Sequence, residues 1–255
     1  MKPSQTENLI LEGRKAVLEA LKHEKPIDRV LLRKDGDVPV QGTLRMIMAL
    51  ARDRKLVVQE VSQAKLDQIS ESGHHQGVIA LCPAVPYYSI YDILEIAKSR
   101  QEEPFVIILD GVTDPHNLGA ILRSAEAGGV HGVIIPKRRA VGLTGTVSKT
   151  SAGAINHIAV ARVGNITNTI TELKKQGLWI ASAGAGHKSM YEQDLSGPIA
   201  IVIGAEGEGV SRLVEENADF FVSIPMFGKI RSLNASVAAG VLIYETIRAR
   251  NCDTK

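Results

Sequence analysis

The chain has 255 residues, enough for one large domain or two modest ones. Its 44% hydrophobic and 23% charged residues describe an ordinary globular protein, with no repeat and no low-complexity tract. A formal net charge of +2 does not advertise a nucleic-acid binder, although averaging over the whole chain hides any local basic patch.

Met1 to Asn8 is polar and is expected to fray. No apolar leader follows it, and no run approaches the ~18 apolar residues of a membrane span, so a cytoplasmic protein without membrane contact is expected. From Leu9 to Pro83 helix and strand signals alternate. Val17, Leu18 and Leu21 form a helical stripe after Gly13, and Arg29–Leu32 reads as a strand. Leu44, Ile47, Met48 and Ala51 recur at helical spacing before a strand at Leu56–Val61. Ser62 is placed to cap a helix carrying Leu66 and Ile69, and Gly77–Cys82 closes the unit as a strand. Residues 9–83 thus predict a small α/β domain.

The prolines of Pro83–Pro86 bias their neighbours toward extended backbone. With the polar Arg100–Pro104 stretch, they mark residues 84–104 as a linker around a helix at Ser89–Ser99. Residues 105–251 predict a second α/β domain. Its strands are expected at Phe105–Leu109, Gly132–Ile135, Ile158–Val160, Trp179–Ser182, Ile199–Ile203 and Phe220–Ile224. Helical patterns between them favour a mostly parallel, helix-covered sheet. The final helix, from Asn234 to about Ala249, is expected to bury Val237, Ala238, Val241 and Tyr244. Cys82 and Cys252 stand in no metal-ligand or redox spacing and read as incidental thiols, so no metal site is expected.

Three segments of the second domain carry the candidate chemistry, each an apolar run emptying into a polar turn and then a helix. Ligands of open α/β sheets bind at such strand ends. In Asp114–Arg123, Leu118, Ile121 and Leu122 face the core and Arg123 points away from them. Its guanidinium is either solvated or suited to grip a phosphate with paired hydrogen bonds. Asn117 is equally a helix cap. In Ile203–Ser211, Gly204, Gly207 and Gly209 surround Glu206 and Glu208, allowing a tight turn and close approach of a ligand. The spacing matches neither a dinucleotide fingerprint nor a phosphate loop. In Ile224–Ser236, the rigid Ile224–Pro225 precedes Met226, Gly228, Lys229, Arg231, Ser232, Leu233 and Asn234. Asn234 either caps the last helix or joins Ser232 in facing a ligand.

In order and content these segments resemble the three signature motifs of the SpoU (TrmH) branch of the SPOUT RNA 2'-O-ribose methyltransferases. Ile10–Val17 and His75–Val78 resemble the ribosomal-protein-like RNA-binding unit that precedes the methyltransferase domain in bacterial 23S rRNA guanosine methyltransferases of this family. The resemblance implies a deep C-terminal trefoil knot, an obligate homodimer and S-adenosylmethionine held in the knotted cleft. It implies a cofactor site at Gly204, Ile224, Met226 and Leu233, and catalytic positions at Asn117, Arg123, Glu206, Ser232 and Asn234. RNA contacts are expected at Arg14, Lys15, His75 and Gln76, with His74 beside them, and at Lys229 and Arg231. For the histidines a plain polar turn before a strand is the alternative. Ala235 departs from the valine usual in the family, a tolerable change of volume. The implied activity is methylation of a ribose 2'-hydroxyl, most simply on a guanosine of 23S ribosomal RNA. Transfer RNA as substrate, or a non-catalytic ribosomal RNA assembly factor, are the competing readings.

Overall fold

The computed structural model describes residues 10–34, 42–70, 72–186 and 188–252, apart from the Cys252 side chain. The opening Met1–Asn8 lies outside them. The chain divides into two compact units between Pro86 and Tyr87.

The first unit runs β1 (Ile10–Glu12), α1 (Arg14–Lys22), β2 (Arg29–Arg33), α2 (Thr43–Asp53), β3 (Val57–Val61), α3 (Gln63–Ile69) and β4 (Val78–Leu81). Its four strands lie in the order β1-β4-β2-β3, with β2 and β3 parallel and β4 antiparallel to both its neighbours. The helical stripes behave as their spacing dictates. Val17, Leu21, Ile47 and Ala51 are buried with Val30, Val78 and Ala80 in one cluster under α1 and α2. Leu66 of α3 covers Leu31 and Ile79 on a second, smaller cluster. Ser62 caps α3, accepting from the Lys65 amide. The strand β1 went unpredicted because three residues are too few for alternation to show. Pairing with β4 defines it. Burial pushes the Cys82 thiol up, with Asp28 adding to the effect and Lys25 opposing it.

The second unit comprises α4 (Ile90–Arg100), β5 (Phe105–Asp110), α5 (Pro115–Ala127), β6 (Gly132–Pro136), α6 (Gly145–Thr150), β7 (Ala159–Val163), α7 (Ile166–Lys175), β8 (Trp179–Ala183), β9 (Ile199–Gly204), α8 (Arg212–Glu215), β10 (Phe220–Val222) and α9 (Ala235–Cys252). Its six strands are all parallel, in the order β10-β8-β9-β5-β6-β7. Helices α4, α7 and α8 bury Ile93, Ile170, Leu173 and Val214 on one face. By strand alternation, Ile107, Leu109, Ile135 and Ile201 point the other way, where α5 and α9 pack against each other. No helix among the described residues is long and apolar enough to cross a membrane.

Two expectations are corrected here. Most of the expected linker 84–104 belongs to the second unit. A capping box of Ser89 and Asp92 starts α4. Ile93 then fills the space that Gly132 leaves by lacking a Cβ, which would lie 2.5 Å from it. The Tyr88 amide bonds to the Val160 carbonyl at 2.9 Å. The helix is where its pattern places it; prolines and charge at its ends masked only its packing on the second sheet. In α9, the buried face is Ala235, Ala239, Leu242, Ile243 and Thr246, while Val237 and Tyr244 are more than half exposed at 51% and 56%. This helix is apolar almost all round, so periodicity alone does not choose the face that packs.

At the opposite edge of the sheet from the strand ends that build the site, His131 is fully engaged. Its Nδ1 accepts from the Phe105 amide and its Nε2 meets Glu102, both at 2.9 Å. Burial holds the imidazole below its ordinary 6.5, against the pull of Glu102. A base whose folded pKa is lowered stabilises fully above the unfolded value and loses that contribution as pH falls through the folded one. Wild-type stability in urea should therefore fall between about pH 7 and about pH 5 more steeply than that of His131→Asn, which keeps an acceptor without the titration. Parallel pH profiles for the two proteins would contradict this account.

Candidate active site at the carboxyl ends of β5 and β9

Strands β5 and β9 are adjacent and parallel, and their last paired residues are Asp110 and Gly204. From β5 the chain crosses to β6 on one side, whereas from β9 it leaves toward β10 on the other. This reversal of direction opens a crevice above the two strand ends. Gly204 has no alternative in the turn that follows. A Cβ there would lie 2.0 Å from the Gly209 carbonyl carbon. Ala205 and Gly209 exchange both backbone hydrogen bonds, at 3.1 and 2.9 Å, closing a loop in which Gly207 and Gly209 have φ of 81° and 73°. The Asp110 carboxylate accepts from the Ser211 amide at 2.8 Å, tying the two strand ends together.

The three segments meet at one carboxylate. Asp114, not Asn117, caps α5, accepting from the His116 amide at 3.0 Å, with Pro115 in the first turn. Asn117, buried at 9% exposure, is thereby free to donate through Nδ2 to Glu206 Oε1 at 2.9 Å. Asn234 Nδ2 donates to Asn117 Oδ1 at 2.9 Å and to Glu206 Oε1, which also accepts from the Ala235 amide at 3.4 Å. The Asn234 Oδ1 accepts from the Ser236 and Val237 amides at 2.9 and 3.3 Å and so starts α9. Asn234 thus caps α9 through the oxygen of its amide and joins Asn117 to Glu206 through the nitrogen.

Beside this cluster lies a cavity of about 540 Å³, within the range of small-molecule sites. Gly204, Ile224, Met226 and Leu233 line it, and so do Glu206, Arg231, Ser232 and Asn234. Asn117 stands behind Glu206 and is not on the wall. Arg123 is exposed on α5, off the cavity lining, and has no hydrogen bond or ion pair with the described residues. Lys229 is exposed on the loop and also off the wall. Sequence reasoning missed the far wall, Ala183–Gly184–Ala185 at the end of β8, and the floor, Ala238 and Leu242 of α9. The run of small residues after β8 was the available signal, since small side chains at a strand end leave room for a ligand.

In the first unit, Arg14, Arg33, His75, Gln76 and Gly77 border a separate cavity of about 510 Å³. Arg14 is pinned to the turn: its amide donates to Gln76 Oε1 at 3.1 Å and its Nε to the Gln76 carbonyl at 3.2 Å. Lys15 is exposed next to it. His75 departs from its expected part as an RNA contact. It is 4% exposed, its Nδ1 accepts from the Gly77 amide at 3.0 Å, and its Nε2 meets Asp67 at 2.9 Å. Occupied at both nitrogens, it shapes the turn that presents Gln76.

The glycine geometry orders two substitutions. Gly204→Ala should cost about 3 kcal/mol in urea unfolding, because its methyl group meets backbone that has no room to move. Gly207→Ala faces open space and should cost about 1 kcal/mol for its positive φ alone. A smaller loss for Gly204→Ala than for Gly207→Ala would show that the turn is not packed as described.

Known proteins resemble this chain over most of its length. The family model described as SpoU rRNA Methylase family matches residues 104–244, and that described as RNA 2'-O ribose methyltransferase substrate binding matches residues 10–88. Bacillus subtilis YacO, assigned by name to the TrmH family of tRNA/rRNA methyltransferases, is 45% identical over 94% of this chain and 95% of its own. The AdoMet-bound rRNA methyltransferase from Sinorhizobium meliloti superposes with a TM-score of 0.58 at 25% identity, covering 96% of this chain and 88% of that one. The A. aeolicus TrmH/SpoU tRNA modifying enzyme, at 27% identity and TM-score 0.54, covers only 63% of this chain but 85% of its own. With one family model matched over more than half of the chain and the Bacillus subtilis relative over nearly all of it, the chain belongs to the SpoU rRNA methylase family.

Proposed function

We propose that this protein methylates a ribose 2'-hydroxyl in RNA, on a guanosine of 23S ribosomal RNA, with S-adenosylmethionine as methyl donor. The observation that carries the reading is the union of Asn117, Glu206 and Asn234 at the mouth of the cavity lined by Gly204, Ile224, Met226 and Leu233. The cavity suits the donor. Its walls combine apolar Ile203, Leu233 and Leu242, a bed for an adenine ring, with backbone exposed by glycines and polar groups of Glu206, Ser232 and Asn234. When bound, S-adenosylmethionine supplies an electrophilic methyl group on a sulfonium.

The protein's own task is the nucleophile. A ribose hydroxyl is protonated at neutral pH, so it must be aimed in line and pass its proton to an acceptor as the C–O bond forms and the C–S bond of the sulfonium breaks. Arg123, uncompensated by any carboxylate among the described residues, grips the RNA phosphate and orients that hydroxyl. A guanidinium resists deprotonation, so its part is charge and placement. Ser232 and Asn234 position the ribose, with Asn117 acting through its bonds to Asn234 and Glu206, and Glu206 bracing the loop. Lys229 and Arg231 add phosphate contacts. Arg14, Lys15 and Gln76 of the first unit select the RNA on the turn that His75 shapes.

The first unit supports ribosomal RNA as substrate: the tRNA modifying enzyme above covers only 63% of this chain, whereas the Sinorhizobium meliloti rRNA methyltransferase covers 96%. The family's trefoil knot, its homodimer and a cytoplasmic setting belong to the same proposal. Exposed Phe227, Ile230, Leu213, Val237 and Tyr244 leave apolar surface on the second unit for another copy.

Arg123→Ala should keep its calorimetric affinity for S-adenosylmethionine while methylation slows by about 10²–10³-fold, the usual loss for one electrostatic group. Simultaneous loss of donor binding would assign Arg123 to the fold instead. In a deletion strain, mapping of 2'-O-methyl marks should reveal one guanosine mark missing from the large-subunit RNA. An intact ribosomal map with a missing transfer RNA mark would redirect the substrate.

A further inference from the structure

The loop between β6 and α6 carries Lys137, Arg138 and Arg139 in a row, at the same edge of the sheet as the crevice and one strand away from β5. Its backbone is fastened along its length. The Lys137 amide donates to the Val163 carbonyl at 2.8 Å, and Arg162 Nη2 reaches the Lys137 carbonyl at 3.4 Å. The Val141 amide donates to the Val112 carbonyl at 3.2 Å, which ties this loop directly to the loop leading from β5 into the helix of Asn117 and Arg123. The Leu143 amide donates to the Tyr87 hydroxyl at 3.0 Å, and Arg162 stacks over that ring at 5.4 Å from its centre. Ala140 and Leu143 are buried as plugs beneath the tip.

Two guanidiniums stand on this frame. Arg138 and Arg139 are exposed, and neither makes an ion pair or hydrogen bond with the described residues. Arg139 has φ of 55°, a left-handed backbone that a side chain rarely adopts, and the anchors on either side hold it there. Beyond the loop, Lys149 is exposed on α6, which packs on α5 where Gly119 meets Thr150. In a protein whose total charge is only +2, such a run of unpaired cations is a local field, rigidly mounted and directed at the edge where the reaction takes place.

We propose that Lys137–Arg139 is a clamp for the RNA backbone, taking phosphodiesters of the strand that adjoins the target nucleotide. The inference rests on the RNA methyltransferase reading and adds to it a contact surface on the catalytic unit itself, independent of the first unit. Exposed guanidiniums take phosphate oxygens in pairs, without regard to base, so the clamp sets the path of the strand and not its sequence.

The test uses the full chain with Arg138→Gln and Arg139→Asn combined, asparagine being tolerant of the left-handed backbone. Anisotropy of a labelled, unstructured oligoribonucleotide is followed across a salt series, with calorimetry of S-adenosylmethionine alongside. Loss of two phosphate contacts should lower the slope of log affinity against log salt by about 1.4, and weaken RNA binding about tenfold at physiological ionic strength. Donor affinity should not change. An unchanged slope and affinity in a variant that still binds the donor would overturn the clamp, as would lost donor binding, which would make the loop part of the fold. Arg138→Glu alone, at an exposed position, repeats the test should the double variant fail to fold. Weakened binding to polyglutamate with none lost to RNA would give the surface to an acidic protein, also against the clamp. Absence of RNA binding by the wild-type protein would instead remove the methyltransferase reading on which the clamp rests.

Discussion

One oxygen of the Glu206 carboxylate receives N–H donors from Asn117, Asn234 and Ala235, residues that the chain holds more than a hundred positions apart at the extremes. Hydrogen bonds to a carboxylate are the strong ones, and here donors from two of the segments converge on the carboxylate of the third. The glycine turn after β9, the first turn of α5 and the start of α9 are each short and irregular, and none would keep its place alone. The carboxylate makes them a single wall. That wall then defines the mouth of the cavity.

The rest of the second unit serves this junction. A parallel sheet buried on both faces fixes the β5 and β9 ends side by side, and the Asp110–Ser211 bond locks the exit from β9. Helix α9 has two duties. Its first residues complete the polar junction, and its Leu242 closes the cavity floor while Ile243 packs into the space above Gly128. At its far end Arg250 donates to the carbonyls of Glu103, Pro104 and Gly197, so the helix is held at both extremities. A helix pinned in this way positions Asn234 by rigid packing.

Charge is arranged in the opposite manner. Three carboxylates near the cavity are engaged: Asp110 with Ser211, Asp114 with His116, and Glu206 with the two asparagines. The cations of the same edge, Arg123, Arg138 and Arg139, have no partners among the described residues. These three acids are spent on backbone and amides and pair with none of the guanidiniums. A nearly neutral chain can in this way present unpaired cations locally.

Much of this was written in the sequence. The strands of the parallel sheet, the helical stripes of α1, α2 and α5, the caps at Ser62 and Ser89, and the three polar turns all follow from local chemistry: alternation, 3.6-residue spacing, and the residues that a turn demands. Gly204, Ile224, Met226 and Leu233 lie in two separate segments, and only the family resemblance joins them in one expected site. The tertiary structure alone decided what depends on partners distant in the chain. It chose the face of α9, whose apolar residues encircle the helix and therefore favour no direction until α5 and the sheet are in place. It drew α4 into the second unit through the gap at Gly132, gave β1 its existence by pairing with β4, and turned His75 inward to a backbone amide. It also set the Lys137–Arg139 loop against Val112, since a bond between residues 112 and 141 leaves no trace in either segment read alone.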